Sequence, residues 1–195
     1  VLMSLALLPI LLTKRKPPTF KKIKSMSLKE LYSSSPLGMV SSIFYGTIQS
    51  ALFTLLAVYA AAMNFSIFDI SLVTFMLGIS GTISQYPVGY ISDKFDRRKV
   101  IIYSTFGAAI FALFAIFSGG TMYLPEGLGS SKFWFYFFLI AFSMCSLPMF
   151  SLILAHTNDF ITRDKFVAAG ASLQFAFGLG AISGPVSYTH LRAHE

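Results

Sequence analysis

Five stretches of this chain each run for more than twenty residues without one Asp, Glu, Lys or Arg: Leu37–Met63, Ile70–Ser92, Val100–Pro125, Phe133–Asn158 and Phe166–Thr189. About 20 apolar residues in a helix cross the roughly 30 Å hydrocarbon core of a bilayer. Buried helices of soluble domains seldom stay uncharged beyond about 14 residues. None of the five shows the period-2 alternation in ten-residue blocks of a membrane β-barrel. Composition agrees, with 55% hydrophobic and only 12% charged residues, half the usual charged share of a soluble domain. The expected fold class is an all-α membrane protein, a transmembrane helix bundle of about five full spans. In the third stretch, Gly119, Gly120, Pro125 and Gly127 predict an external loop. The opening residues 1–13, VLMSLALLPILLT, are too short to cross. Lys14, Arg15 and Lys16 follow them, whereas a secretory signal carries its basic residues in front. Residues 1–13 therefore read as the end of a sixth, truncated transmembrane helix.

The charge of +7 is not spread as in a nucleic-acid binder, because aromatic residues do not interleave with it. Thirteen basic residues fall in three segments: 14–36, 93–99 and 159–165. The alternate segments, 64–69 and 119–132, hold only Lys132. By the positive-inside rule the three basic segments face the cytoplasm. One threading satisfies every loop. The 14–36 segment, with Pro17-Pro18 and Ser33–Ser35, reads as a cytoplasmic linker between two bundles. Lys21, Lys22 and Lys24 with Phe20, Ile23 and Met26 form either a short helix on anionic lipid or a solvated stretch.

The turn at 89–99 reads Gly89-Tyr-Ile-Ser-Asp93-Lys94-Phe-Asp96-Arg97-Arg98-Lys99. A short turn at a membrane face must reverse the chain and satisfy two helix ends. Gly89 permits close packing, Asp93 suits a neighbouring helix N-terminus, and Arg97, Arg98 and Lys99 anchor the inner face. The run resembles the major facilitator signature, Gly-x-x-x-Asp-(Arg or Lys)-x-Gly-Arg-Arg-(Arg or Lys). Gly89, Asp93, Lys94, Arg97, Arg98 and Lys99 match, and Asp96 stands where the family most often has Gly. Residues 36–186 are also similar to the YcaD-like subgroup of that superfamily. The similarity rests on Pro36-Leu37-Gly38, Gln85-x-Pro87-x-Gly89, Pro148-Met149-Phe150-Ser151-Leu152, Ala155-His156-Thr157-Asn158-Asp159 and the run Gly178–Pro185.

The resemblance implies twelve helices in two bundles, with a small-molecule solute bound between them and alternating access by rocking. Residues 37–186 would be the C-terminal bundle of a multi-pass protein of the bacterial inner membrane. The N-terminal half of the same protein and the twelfth helix would lie elsewhere. Residues 187–195 break from the pattern and read as a non-native tail, so its His190 and His194 are not taken as metal ligands. The resemblance also implies that the third span faces lipid and the other four face the cavity.

Candidate cavity residues are Tyr45 and Gln49, which share a helical face, and Gln174 in the last span. Hydrogen bonding to a neighbouring helix is the alternative for each. His156, Asn158 and Asp159 form a candidate proton or helix-end network, because His titrates near neutrality. Asp69 sits where a helix cap belongs. No ionisable Asp, Glu, Lys or Arg lies deep in a span. In a proton-coupled cycle the coupling carboxylate would then belong to the other half. Gly178, Gly180 and Gly184 read as packing residues.

The expected activity is secondary transport without a cofactor. No Gly-x-x-x-x-Gly-Lys-(Ser/Thr) run is present, so the chain itself shows no nucleotide hydrolysis. A permease subunit served by a separate ATPase, or a membrane-embedded enzyme or receptor, is the alternative. An enzyme would need ionisable groups converging inside the bilayer, and only His156 and Asp159 approach that. Cys145 is alone and reads as a packing residue.

Overall fold

The computed structural model describes residues 25–62, 65–118 and 131–192. The expectations for 1–13 and for Lys21, Lys22 and Lys24 lie outside these residues. Among these residues seven α-helices follow in order: α1 (Leu28–Ser34), α2 (Pro36–Ala62), α3 (Ile67–Lys94), α4 (Arg97–Ile116), α5 (Ser131–Ser146), α6 (Met149–Asn158) and α7 (Phe166–Arg192). A short 3-10 turn, Arg163–Lys165, leads into α7. Five stretches are long and apolar enough to cross a membrane: Pro36–Ala62, Ile67–Lys94, Arg97–Ile116, Phe133–Asn158 and Arg163–Pro185. They match the five uncharged runs, and α5 and α6 together make the fourth. Helix α7 continues to Arg192, so its backbone marks no boundary at 186.

The helix starts follow from local chemistry. Ser66 and Asp69 form a reciprocal capping box at the head of α3, the cap expected of Asp69. Ser35 closes α1 and its Oγ accepts from the Gly38 N–H, while Pro36 takes the first position of α2, where a missing N–H is harmless. Pro148 divides the fourth span. It has no N–H to give the Met144 carbonyl, and the chain turns at Leu147–Pro148 before α6 begins.

Two hydrophobic clusters stack along the bundle. The first joins Leu31, Tyr45, Ile101, Met149, Leu152, Ile153, Ala169 and Leu173. The second joins Val73, Leu77, Ala108, Phe135, Leu139 and Phe142. The first lies beside the described parts of the three basic segments and the second at the other end. The Leu147–Pro148 break falls at their border, so α5 belongs to one cluster and α6 to the other.

The helix α1 is docked rather than solvated. Leu31 is fully buried, Ser172 donates to the Met26 carbonyl at 2.7 Å, and Lys165 pairs with Glu30. Met26 is buried in the bundle, so it is not on the apolar face of a lipid-surface helix. Helix α4 turns Ile102, Tyr103, Phe106, Leu113 and Phe114 outward. Between α2, α4 and α5–α6 runs an apolar groove. Its part toward the basic end, about 530 Å³, is bounded by Phe44, Ile48, Ala109, Ala112 and Met149, and a second part of about 460 Å³ continues it through Leu52 and Ala115.

Candidate functional site

The turn between α3 and α4 is only Phe95 and Asp96 long, and Asp96 starts the next helix. Its carboxylate Oδ1 accepts the Arg98 N–H at 3.0 Å and caps α4. The residue that departs from the family pattern therefore takes a capping role that the sequence reading had placed on Asp93. Asp93 instead ends α3 one turn before Arg97 and accepts from its Nη2 at 2.9 Å.

Arg97 makes a second ion pair, from Nε to Asp159 Oδ2 at 3.1 Å. Asp159 caps the C-terminal end of α6, so one guanidinium ties the α3–α4 turn to the α6–α7 turn. The planar fork with several donors makes this double contact feasible where an ammonium would serve less well. Lys165 with Glu30 then ties the α6–α7 turn to α1. The described parts of the three basic segments, residues 25–36, 93–99 and 159–165, thus meet at one end of the bundle. Lys94 lies over the Tyr90 ring at 4.2 Å and Arg98 over the Phe160 ring at 5.7 Å.

His156 is buried behind this cluster, edge-on to Phe160 at 5.0 Å. Asn158 has a buried Oδ1 with no hydrogen-bond partner among the described residues. Of the three residues expected in a network at this end, the structure puts Asp159 on Arg97, His156 against an aromatic ring, and Asn158 next to both without a bond.

Within the spans, Tyr45 is buried and its hydroxyl donates to the Leu147 carbonyl at 3.3 Å, beside the Pro148 break. Its ring sits 5.8 Å from Phe177 and 6.3 Å from Phe150. Of the two roles open to Tyr45, this geometry is helix–helix hydrogen bonding, although the ring also borders the groove. Gln49, one turn on, has a buried Oε1 without a partner among the described residues. Gln174 is exposed on α7. A side chain added at Gly89 meets open space, so nothing described here packs against it.

Several residues that organise the bundle were not singled out in the sequence. On α2, Gly46 touches the Phe177 backbone and Gly38 touches the Thr157 hydroxyl so closely that no Cβ fits. Gly180 and Gly184 of α7 meet the backbone of Ile43 and Thr47, as packing glycines should, whereas Gly178 faces open space. Ser42 donates to the Leu173 carbonyl at 2.9 Å and Ser143 to the Leu77 carbonyl at 2.7 Å, both buried. The spacing of small residues signals the glycines. The serines carry no local signal, since their partners lie far along the chain.

Comparison with known proteins gives the following. The model of the Major Facilitator Superfamily matches residues 1–185. The uncharacterised MFS-type transporter YfkF of Bacillus subtilis (strain 168) is 26% identical over 83% of this chain and 39% of its own length. The uncharacterised MFS-type transporter YcaD of Escherichia fergusonii is 22% identical over 96% of this chain and 46% of its own. The riboflavin transporter MCH5 of Saccharomyces cerevisiae is 28% identical over 71% of this chain and 25% of its own. The chain spans less than half the length of these relatives. No solved structure matches it significantly.

Proposed function

The chain belongs to the Major Facilitator Superfamily, and from that premise we propose that it is part of a secondary active transporter. It would carry a small solute across the bacterial inner membrane by alternating access. The family and the names of the relatives indicate a transporter rather than an enzyme.

The observation that carries the proposal is Arg97, held between Asp93 at 2.9 Å and Asp159 at 3.1 Å. Both carboxylates are substantially exposed, and exposed pairs contribute about 0–1 kcal/mol each. A contact of that size biases one conformation without freezing it, which suits a switch that opens and closes in every cycle. Gly89, Lys94, Arg98 and Lys99 complete the switch loop in this reading.

The solute is proposed to meet Gln49 and Gln174, with Tyr45 supporting the helix break behind them. The unpaired Gln49 carbonyl is an acceptor for a neutral donor on the solute. The open faces at Gly78 and Gly89 of α3 and at Gly178 of α7 are proposed to receive the N-terminal half of the protein. The groove along α2 and α4 is proposed to receive a further helix. Coupling to protons is proposed through a carboxylate outside these five spans, with His156, Asn158 and Asp159 completing the inner end.

Flux by the full-length protein in proteoliposomes against a broad solute panel, with and without a pH gradient, tests the reading. Gradient-driven flux of one solute that falls on Asp93→Asn is expected. A folded, inserted protein that moves no solute overturns it.

A further inference from the structure

Three helices bring aromatic rings together beside Gln49. Tyr45 of α2 lies 5.8 Å from Phe177 of α7 and 6.3 Å from Phe150 of α6, and the two phenylalanines stand edge to face at 5.7 Å. Tyr45 is buried, while Phe150 and Phe177 are half-buried, so part of each of these rings stays open. Gly46 lies against the Phe177 backbone, which fixes the start of that side chain relative to α2. Neighbouring polar groups on α2 are already bonded. The Tyr45 hydroxyl donates to the Leu147 carbonyl, the Thr47 hydroxyl to the Gly180 carbonyl and the Ser50 hydroxyl to the Thr47 carbonyl. Gln49, one turn from Tyr45 on the same face, keeps a buried Oε1 with no partner among the described residues. A buried amide oxygen without a donor is costly, so this one is placed to receive an N–H from outside these spans. Gln49 as a whole is half-buried and its terminal torsion is soft, so the amide can turn that oxygen toward the open side.

Charge is missing from the surroundings. Helix α3 carries Thr74, Thr82 and Gln85 along one exposed face together with Gly78 and Gly89, and α7 exposes Gln174. All are neutral, and no Asp, Glu, Lys or Arg lies deep in a span. A charged group brought here would lose its hydration with no opposite charge on these helices to replace it. We infer that the wall of α2, α6 and α7 binds an uncharged planar heterocycle, its flat face on the Phe150–Phe177 pair and a ring N–H on the Gln49 oxygen. Aromatic contact favours a flat ring over a puckered one, and the amide oxygen selects a donor. The inference rests on the solute position proposed above and adds the chemical class that fits it.

Titration of the full-length protein in lipid nanodiscs with matched probes, followed by saturation-transfer NMR, tests this. Uracil is flat, neutral and carries ring N–H groups. Orotate adds a carboxylate to the same ring, and dihydrouracil keeps the N–H groups but loses the flat ring. The expected result is that uracil binds about tenfold or more tighter than either. Gln49→Leu should weaken uracil about tenfold while leaving the melting temperature unchanged or higher, since it removes a polar atom that has no partner. Phe177→Leu, which keeps an apolar side chain but no ring, should weaken it as well. Orotate or dihydrouracil bound as tightly as uracil, uracil binding that survives Gln49→Leu, or no uracil binding overturns the inference and leaves the transporter reading to the flux assay. Selective uracil binding by a protein that moves no solute overturns the transporter reading and leaves the binding wall.

Discussion

Two helix seams in this bundle are built on one plan and differ in a single exchange. In the α2–α7 seam, Ser42 bonds to the Leu173 carbonyl, and one turn further on Gly46 lies against Phe177. In the α5–α3 seam, Ser143 bonds to the Leu77 carbonyl, and one turn further on Leu147 lies against Gly81. The small residue has changed sides. The consequence is physical. Gly46, Gly180 and Gly184 bring backbone against backbone over two turns of α7, and Thr47 adds contacts of 3.0 Å to the Gly180 carbonyl and the Ser183 hydroxyl. The other seam meets backbone through one leucine side chain. Lipid offers no hydrophobic drive for helix association, so close packing and hydrogen bonds must supply it. The α2–α7 seam is therefore the rigid one. The α5–α3 seam is the adjustable one, and the break in the fourth span sits on it.

The sharpest way to break this comparison is to add one methyl group to each seam. Gly180→Ala and Gly46→Ala push into carbonyl backbone that has nowhere to move. They should destabilise the detergent-solubilised protein by about 2–3 kcal/mol, read as a large fall in melting temperature. Gly81→Ala meets only Leu147, so its cost should be about 1–2 kcal/mol and should largely vanish in a double variant with Leu147→Ala. Equal costs in the two seams, or no rescue by Leu147→Ala, would remove the distinction between rigid and adjustable. Next in size are the matched serines. Ser42→Ala and Ser143→Ala should each cost about 0.6 kcal/mol, the usual worth of an interhelical hydrogen bond in a membrane protein. A melting series that separates them by more than a factor of three would show that the seams do not share a plan. The smallest effect is a control. Gly170→Ala, on the same helix as Gly180 but meeting only the tip of the Leu154 side chain at 3.8 Å, should be neutral or stabilise by up to about 1 kcal/mol through helix propensity alone.

Much of the fold was legible because membrane spans obey a composition rule over twenty or more residues at a stretch. The run Leu37–Met63 and the helix Pro36–Ala62 differ by one residue at each end. The basic segments were legible for the same reason, and the ion pairs from Arg97 to Asp159 and from Lys165 to Glu30 gather them at one end. What stayed hidden depends on partners distant in the chain. The role of Asp96 was missed because the family pattern made it a departure, whereas its chemistry as a helix cap needs only the next N–H groups. The division of the fourth span was visible in Pro148 but not used, since an uncharged run reads as one helix until its two halves are seen in different clusters. Tyr45 and Gln49 share a face, yet only packing shows that one hydroxyl meets Leu147 while the neighbouring amide oxygen is left without a partner.

The central claim is that the Arg97–Asp159 bridge sets the transport cycle, and a charge swap on flux tests it most directly. Solute flux would be compared among the unaltered protein, Arg97→Asp, Asp159→Arg and the double swap, all checked for insertion. The account predicts that each single variant loses tenfold or more and that the double swap, which restores the 97–159 pair but not the one to Asp93, recovers only part of the rate. Single variants that transport normally, or a double swap no better than either of them, would contradict it.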